Sequence, residues 1–211
     1  HLGTAFLFVM FLLLAQVGGE SSLDFGHPET FPAISASMAT ALFVLALIGF
    51  GTKAGFMPLH TWLPPSYTAA PGFVSAVLSG VVSKTGIYGL LRVLSYLDQP
   101  PPWWGWVLIG VGAVSGLLGI LFALAQHDLK RLLAYSSVEN MGIIALGIGI
   151  GLLGLSYQAS TLATLGFAGA LLHVLNHSIF KSLLFLGAGT VRHACGTNRL
   201  DEMGGLLKRM P

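Results

Sequence analysis

Long uninterrupted runs of apolar residues constrain this chain more than any other feature. Each run reaches or approaches the roughly 20 helical residues that cross hydrocarbon about 30 Å thick. None alternates polar and apolar residues with the period of two that a membrane strand requires. The runs are Leu2–Val17, Ile34–Met57, Phe73–Leu94, Trp104–Ala125, Leu132–Leu155 and Leu162–Val191. They predict an all-α integral membrane protein, a polytopic bundle of about six transmembrane helices.

The composition of the 211 residues supports this prediction, because 54% are hydrophobic and only 9% are charged. A soluble domain would carry charge on roughly a quarter of its residues. The single cysteine, Cys195, excludes an internal disulfide framework, a cysteine-ligated iron–sulfur cluster and a cysteine zinc site within the chain. Lysines and arginines are scattered and form no basic stretch. We therefore expect a lipid bilayer around the chain, no cofactor in it and no nucleic-acid partner.

Loop charges predict the orientation of the helices. The loop after the first run contains three acidic residues and no lysine or arginine, whereas the segments 127–131 and 192–211 are basic. By the positive-inside rule the basic segments are cytoplasmic, in a multi-pass protein of the plasma (inner) membrane. We expect the chain to begin without a signal peptide and both of its ends to be cuts through a longer protein. Three residues are predicted to anchor a helix at the membrane edge: Asp128, Lys130 and Arg131.

Lys84 is the clearest charge inside a predicted span. It is the twelfth residue of Phe73–Leu94, which places it about 15 Å from either end at the usual helical rise. A lysine at that depth costs about 2.5–3.5 kcal/mol on insertion scales, so ionisable residues within spans are commonly functional. We predict a proton or ion path at Lys84, with a structural lysine paired to a carboxylate as the alternative.

Lys53 lies in a segment that predicts a broken helix. Three glycines and Pro58 surround it, and both residue types weaken or end helices. Broken spans are used where helix ends meet ions or water inside a membrane protein. The following stretch 60–65 is predicted to be a short irregular return, in which His60 is a candidate relay or ion-pair partner. An interfacial lysine at a helix end is the alternative for Lys53.

His173, His177 and Lys181 are spaced by four and four, which places them on one face of one helix. Histidine gains and loses a proton near neutral pH, so the three side chains form a candidate proton ladder about 12 Å long. Metal binding by the two histidines and ordinary helix packing are the alternatives. Glu139, the only acid deep in a run, is a candidate relay or ion-pair partner of a lysine.

The same residues lie in blocks that resemble the antiporter-like subunits of respiratory complex I, Mrp cation/proton antiporters and energy-converting hydrogenases. The segment 138–143 (VENMGI) most resembles the large membrane subunit of hydrogenase-4 and formate hydrogenlyase type complexes. The matching blocks extend through nearly the whole chain in family order: Lys53–Pro64, Ala70–Ala76, Lys84–Arg92, Asp128–Ser137 and His173–Leu186.

This resemblance implies a fold of about fourteen helices built from two inverted repeats, each with a broken helix. Residues 1–211 would be a single transmembrane fragment covering roughly the sixth to the eleventh helix. Lys53 would be the lysine of the first broken helix and Lys84 the central lysine of the next. The ladder on the last run would be the connecting relay. The glutamate that pairs with the Lys53-type lysine and the charged residue of the second broken helix would lie outside this chain.

The implied function is redox-coupled proton translocation in a hydrogenase-4 or formate hydrogenlyase type complex. The resemblance implies other membrane subunits and a peripheral redox arm as partners, and no redox centre in this chain. A complex I subunit, a Mrp-type Na⁺/H⁺ antiporter subunit and a purely structural anchor for a soluble hydrogenase stay open as alternatives.

Overall fold

The computed structural model describes residues 1–18, 32–97 and 99–206. The acidic loop with Glu20, Asp24 and Glu29 lies outside these residues, as do Lys208 and Arg209. The described parts are helical, and their one β-bridge joins Asp128 to Arg199. The part of the chain that the structure describes contains eight α-helices: α1 (Leu2–Gly18), α2 (Ala36–Ala54), α3 (Leu63–Ala69), α4 (Gly72–Val77), α5 (Ser83–Leu94), α6 (Pro102–Leu124), α7 (Leu129–Ser156) and α8 (Ser160–Cys195).

Each predicted apolar run forms a helix or a pair of helices, so the predicted fold class is confirmed. Within the described ranges, five spans are long and apolar enough to cross a membrane, and Leu2–Gly18 is a shorter apolar helix. Two of these spans are interrupted. The first of the five, Ala36–Ala69, consists of α2, a 3-10 turn Leu59–Trp62 and α3. The next, Gly72–Leu94, consists of α4, a π-helical turn Leu78–Val82 and α5.

The break between α2 and α3 lies where the glycine-rich segment predicts it. Gly55 caps α2 in the left-handed conformation with φ 88°. The return that follows is helical rather than irregular, which corrects the prediction for 60–65. Pro64 and Pro65 lie in the first turn of α3, where a missing N–H has no intrahelical partner to lose.

Helix packing brings α4, the π-helical turn Leu78–Val82 and α7 against α8, while α5 packs against α2. Among consecutive helices, α1 packs against α2, α6 against α7 and α7 against α8. Packing between helices farther apart in the sequence joins α2 to α5, α3 to α7 and α4 to α8. Glycines permit the closest approaches. A Cβ on Gly112 would lie 2.7 Å from the Gly142 carbonyl oxygen, and one on Gly147 would lie 2.9 Å from the Ala170 Cβ.

The two predicted basic segments lie on the same side of the bundle. Leu129 donates its N–H to the Asn198 carbonyl oxygen at 2.9 Å, and Leu200 donates to the His127 carbonyl oxygen at 2.8 Å. His127 Nδ1 also lies 3.3 Å from Asp201 Oδ1. The loop before α7 and the tail after α8 therefore form one surface. This arrangement is expected when α7 and α8 cross the membrane in opposite directions.

Candidate functional site

The broken end of α2 is held by side chains from elsewhere in the fold. The indole N–H of Trp62 donates to the Thr52 carbonyl oxygen at 2.7 Å, and the Met57 N–H donates to the Ser115 hydroxyl at 3.0 Å. These bonds satisfy backbone groups that the break releases from the helix. The break therefore lies within the packed part of the fold rather than at a frayed end.

The end of α2 lies at the middle of the next span. A Cβ on Gly86 would lie 2.7 Å from the Ala54 nitrogen and 2.8 Å from the Phe50 carbonyl oxygen. Gly86 is two residues from Lys84, and Ala54 follows Lys53, so the structure brings both lysines to the crossing of α2 and α5.

The Lys53 side chain is exposed in the described structure. It lines a groove of about 540 Å³ together with Gly3, Thr52, Trp62 and Val82. Val82 ends the π-helical turn that precedes Lys84, so this groove extends from the start of α1 to that turn. No carboxylate of the described residues lies within 4 Å of the Lys53 amine.

The π-helical turn Leu78–Val82 is the feature of the site that the sequence did not predict. Such turns are rare and occur often at functional sites. Three successive carbonyl oxygens here accept hydrogen bonds from side chains. Leu78 accepts from the Tyr67 hydroxyl at 3.1 Å, Ser79 accepts from the Lys84 amine, and Gly80 accepts from the Ser178 hydroxyl.

A series of hydrogen-bonded residues lies between Lys84 on α5 and Lys181 on α8. The Lys84 amine donates to the backbone carbonyl oxygen of Ser79, whereas the series continues from the Ser79 side-chain hydroxyl. The Ser79 hydroxyl lies 3.1 Å from the Ser137 hydroxyl on α7, and Ser137 donates to the Leu133 carbonyl oxygen at 2.9 Å. Lys181 Nζ donates to the same carbonyl oxygen at 3.2 Å. Lys84 and Lys181 are buried, with 8% and 2% of their surface exposed.

A second branch joins Lys181 to His173. Lys181 also donates to the Ser136 hydroxyl, and the Asn140 side chain donates to the Ser136 carbonyl oxygen at 2.7 Å. The Asn140 Oδ1 lies 3.0 Å from His173 Nε2. The predicted ladder on α8 is therefore in contact with a polar face of α7, formed by Leu133, Ser136, Ser137 and Asn140.

His177 lies between the other two members of the ladder and is fully buried. Its ring is parallel to that of His173, with a 7° interplanar angle and 6.2 Å between centroids. Neither ring nitrogen has a hydrogen-bond partner among the described residues. Buried polar atoms are nearly always paired with protein or water, so the two unpaired nitrogens distinguish His177 from His173.

Glu139 is half-buried beside the same network. Its carboxylate accepts from Asn140 Nδ2 at 3.4 Å. Among the described residues, however, no carboxylate oxygen lies within 4 Å of the Lys84 or Lys181 amine. The two buried lysines are therefore held by backbone and hydroxyl oxygens.

His60 lies apart from the Lys84–Lys181 line, in a pocket between α3 and α7. Its ring centroid is 6.2 Å from that of Tyr135, and Thr68 and Arg131 also line the pocket. Its Nδ1 is buried without a partner among the residues that the structure describes. His60 and Glu139 therefore occupy different places, and their roles stay predictions.

Lys130 differs from the prediction of a membrane-edge anchor. Its side chain is fully buried and donates to the Ala70 carbonyl oxygen at the end of α3. The sequence did not reveal this contact because Lys130 lies between Asp128 and Arg131 in a loop-like charged motif. Arg131, by contrast, is exposed as expected.

The fold and the site together define a polytopic helical membrane protein with hydrogen-bonded lysines and two adjacent histidines inside its helix bundle. A family model described as NADH:quinone oxidoreductase/Mrp antiporter, TM matches residues 1–211. The chain therefore belongs to this family of membrane subunits, which confirms the predicted resemblance.

Three similar proteins make the comparison more specific. Hydrogenase-4 component B of Escherichia coli is 49% identical over 214 residues, covering 100% of this chain and 31% of the relative. Formate hydrogenlyase subunit 3 of Escherichia coli is 42% identical over 174 residues, covering 82% of this chain and 29% of the relative. A chain of the membrane-bound sulfane sulfur reductase, an archaeal respiratory membrane complex, superposes with a TM-score of 0.83 and 28% identity, covering 100% of this chain and 34% of that chain.

These alignments show how much of the relatives this chain represents. It spans about a third of the length of the curated relatives it matches. Proteins of the hydrogenase-4 and formate hydrogenlyase type are among its similar proteins, as the segment 138–143 indicated.

Proposed function

We propose that residues 1–211 form the middle of a membrane subunit that translocates protons in a redox-driven complex of the hydrogenase-4 or formate hydrogenlyase type. The observation that carries this proposal is the line from Lys84 through Ser79, Ser137 and the Leu133 carbonyl oxygen to Lys181. Similarity to hydrogenase-4 component B supports the type of complex.

The chemistry of the buried lysines suits proton transfer. Taking a charge out of water costs several kcal/mol, and a carboxylate partner would bind the charged amine strongly. Lys84 and Lys181 are held by neutral oxygens instead. Each lysine can therefore lose its proton without leaving an unpaired buried carboxylate, and hydroxyls of Ser79 and Ser137 lie between them.

In this proposal Lys53 is the entry group at the helix break. It would receive a proton from the cytoplasmic side and hand it along the groove toward the π-helical turn and Lys84. The proton would then pass to Lys181 and the histidines of α8. The implied glutamate partner of Lys53 and the exit residue belong to the rest of the subunit, with this chain as roughly its sixth to eleventh helix.

The proposal extends to surroundings and orientation. Other membrane subunits and a peripheral redox arm would be the partners, since the redox chemistry would take place outside this chain. The joined surface formed by the loop 127–131 and the tail after α8 would face the cytoplasm, because it carries the basic residues.

The test is Lys84→Met in the full complex, reconstituted in liposomes and driven by its redox substrates. We expect proton translocation to fall strongly while assembly and electron transfer persist, because methionine fills the space without carrying a proton. Thr85→Val is the matched control, since the Thr85 hydroxyl is exposed and bonds only to its own helix, at the Val82 carbonyl oxygen. Unchanged pumping in Lys84→Met would overturn the role of Lys84.

A Mrp-type Na⁺/H⁺ antiporter subunit is the second candidate, because the matching family model also names Mrp antiporters. It predicts sodium-dependent pH changes in vesicles without any redox substrate. Proton movement that requires the redox substrate and does not depend on sodium would exclude the antiporter candidate. A structural anchor is the remaining alternative, and it predicts wild-type pumping from Lys53→Ala and Lys181→Ala.

A further inference from the structure

The amide of Asn140 is oriented by its own helix. Asn140 Nδ2 lies 2.7 Å from the Ser136 carbonyl oxygen and 3.4 Å from Glu139 Oε2. A carbonyl oxygen only accepts hydrogen bonds, and so does an ionised carboxylate. The atom that faces them therefore has to be the amide nitrogen, which turns the amide oxygen toward α8.

This orientation determines which nitrogen of His173 carries a proton. Asn140 Oδ1 lies 3.0 Å from His173 Nε2. An amide oxygen has no hydrogen to donate, so Nε2 has to be the donor in this bond. When His173 is neutral, its basic nitrogen is then Nδ1, because a neutral imidazole has one donor and one acceptor.

We propose that Asn140 is a positioning residue that holds neutral His173 as the Nε2–H tautomer and confines its proton exchange to Nδ1. The inference rests on the proposed function for its meaning in proton transfer. An amide does not take up a proton near neutral pH. Asn140 Oδ1 therefore accepts a hydrogen bond from His173 Nε2, but the Nε2 proton cannot be transferred to it across the helix interface. His173 receives a proton at Nδ1, becomes an imidazolium and releases a proton from the same nitrogen.

The two histidines of the ladder thereby acquire different roles. Neither ring nitrogen of His177 is bonded to a described residue, so His177 can accept a proton at one nitrogen and release one from the other. His173 exchanges protons at a single nitrogen and closes the branch toward α7. Protons that reach the parallel pair of rings therefore continue along α8 rather than through Asn140.

The experiment reads the tautomer directly. The full-length subunit is labelled with ¹⁵N-histidine, assembled in its complex and placed in lipid membranes. Magic-angle-spinning NMR at alkaline pH, where the histidines are neutral, then separates protonated from unprotonated ring nitrogens, and His173→Gln identifies the signals. For His173 we expect the Nε2–H tautomer alone in the wild type and a mixture of both tautomers in Asn140→Leu.

Two further variants make the test decisive. Asn176→Leu removes an exposed amide one residue before His177 on α8 and should leave the tautomer unchanged. Asn140→Asp keeps an oxygen acceptor and should keep the Nε2–H form even if Asn140→Leu fails to assemble. An Nδ1–H signal from His173 in the wild type would overturn the proposal. A wild-type His173 signal in Asn140→Leu would also overturn it, and so would a mixture of His173 tautomers in Asn140→Asp.

This outcome is independent of pumping. If Asn140 sets the tautomer while Lys84→Met pumps normally, the inference about His173 stands and the proposed function fails. If the His173 tautomer is the same in the wild type and in Asn140→Leu while Lys84→Met stops pumping, the proposed function stands and the inference fails.

Discussion

Lys181 Nζ on α8 lies 3.2 Å from the carbonyl oxygen of Leu133 on α7 and donates to it. The same oxygen accepts from the Ser137 hydroxyl at 2.9 Å. One backbone carbonyl thus connects the lysine of the histidine ladder to the serine pair that leads to Lys84. Networks of this kind depend on every member, because an unpaired buried polar group is costly in a low dielectric.

Lys181 offers a prediction that separates charge from proton release. Lys181→Met removes both the positive charge and the exchangeable proton, whereas Lys181→Arg keeps the positive charge but does not release its proton in proteins. We expect both variants to lose redox-driven proton translocation, while Lys181→Arg retains assembly. The measurement is dye-reported acidification of liposomes that contain the complex. Wild-type pumping from Lys181→Arg would show that Lys181 supplies charge alone.

Ser79 and Ser137 are predicted to act as a pair. Their hydroxyls are 3.1 Å apart and buried, so either alanine variant breaks the line between the two lysines. We expect Ser79→Ala and Ser137→Ala each to reduce pumping severalfold, and the double variant to be little worse than either one, because residues of one network are not additive. The double-mutant cycle of pumping rates checks this. Effects of the two substitutions that simply multiply would contradict the shared role.

Gly86 is predicted to be essential for the crossing of α2 and α5. A Cβ there would meet backbone atoms at 2.7 and 2.8 Å, and these atoms cannot move without shifting α2. We expect Gly86→Ala to lower the free energy of unfolding by about 1–3 kcal/mol. Gly110→Ala is the control, since its Cβ would meet nothing within 4 Å among the described residues. Thermal unfolding of the purified complex provides the comparison, and equal midpoints for the two variants would refute the prediction.

Lys130 is predicted to stabilise the junction between α3 and α4. Its amine donates to the Ala70 carbonyl oxygen, and a buried acceptor left without its donor costs about 1–3 kcal/mol. We expect Lys130→Met to lower thermal stability, and Arg131→Met to change it by less than about 0.5 kcal/mol because Arg131 is exposed. A Lys130→Met protein as stable as the wild type would show that burial of the charge costs as much as the hydrogen bond contributes.

The sidedness of the helices can be measured with single cysteines in a full-length subunit whose native cysteines, Cys195 among them, are replaced by serine. Gly204 and Ser160 are exposed positions on the tail and at the start of α8. We expect a membrane-impermeant maleimide to label Gly204→Cys only from the cytoplasm and Ser160→Cys only from the other side. The reverse pattern would invert the orientation inferred from the basic segments.

Much of the site was predictable because its signals are local. The spacing of His173, His177 and Lys181 along α8 requires only the helical period, and the glycines and Pro58 around Lys53 predict a break by their backbone preferences. The π-helical turn before Lys84 was not predictable, because the segment Leu78–Val82 contains no sequence signal that separates it from an α-helix. The burial of Lys130 was missed for a related reason, since its acceptor lies 60 residues away.

The sequence by itself therefore determined the membrane environment, the positions of the apolar helices, the broken helix and the identity of the ionisable residues. Hydrocarbon thickness and helical periodicity act on neighbouring residues, so a linear pattern records them. The tertiary structure decided which oxygens hold each lysine and which nitrogen of His173 donates. Those partners come from different helices, such as Lys181 and Leu133 at a separation of 48 residues. Such contacts exist only once the packing of α7 against α8 has brought the helices together.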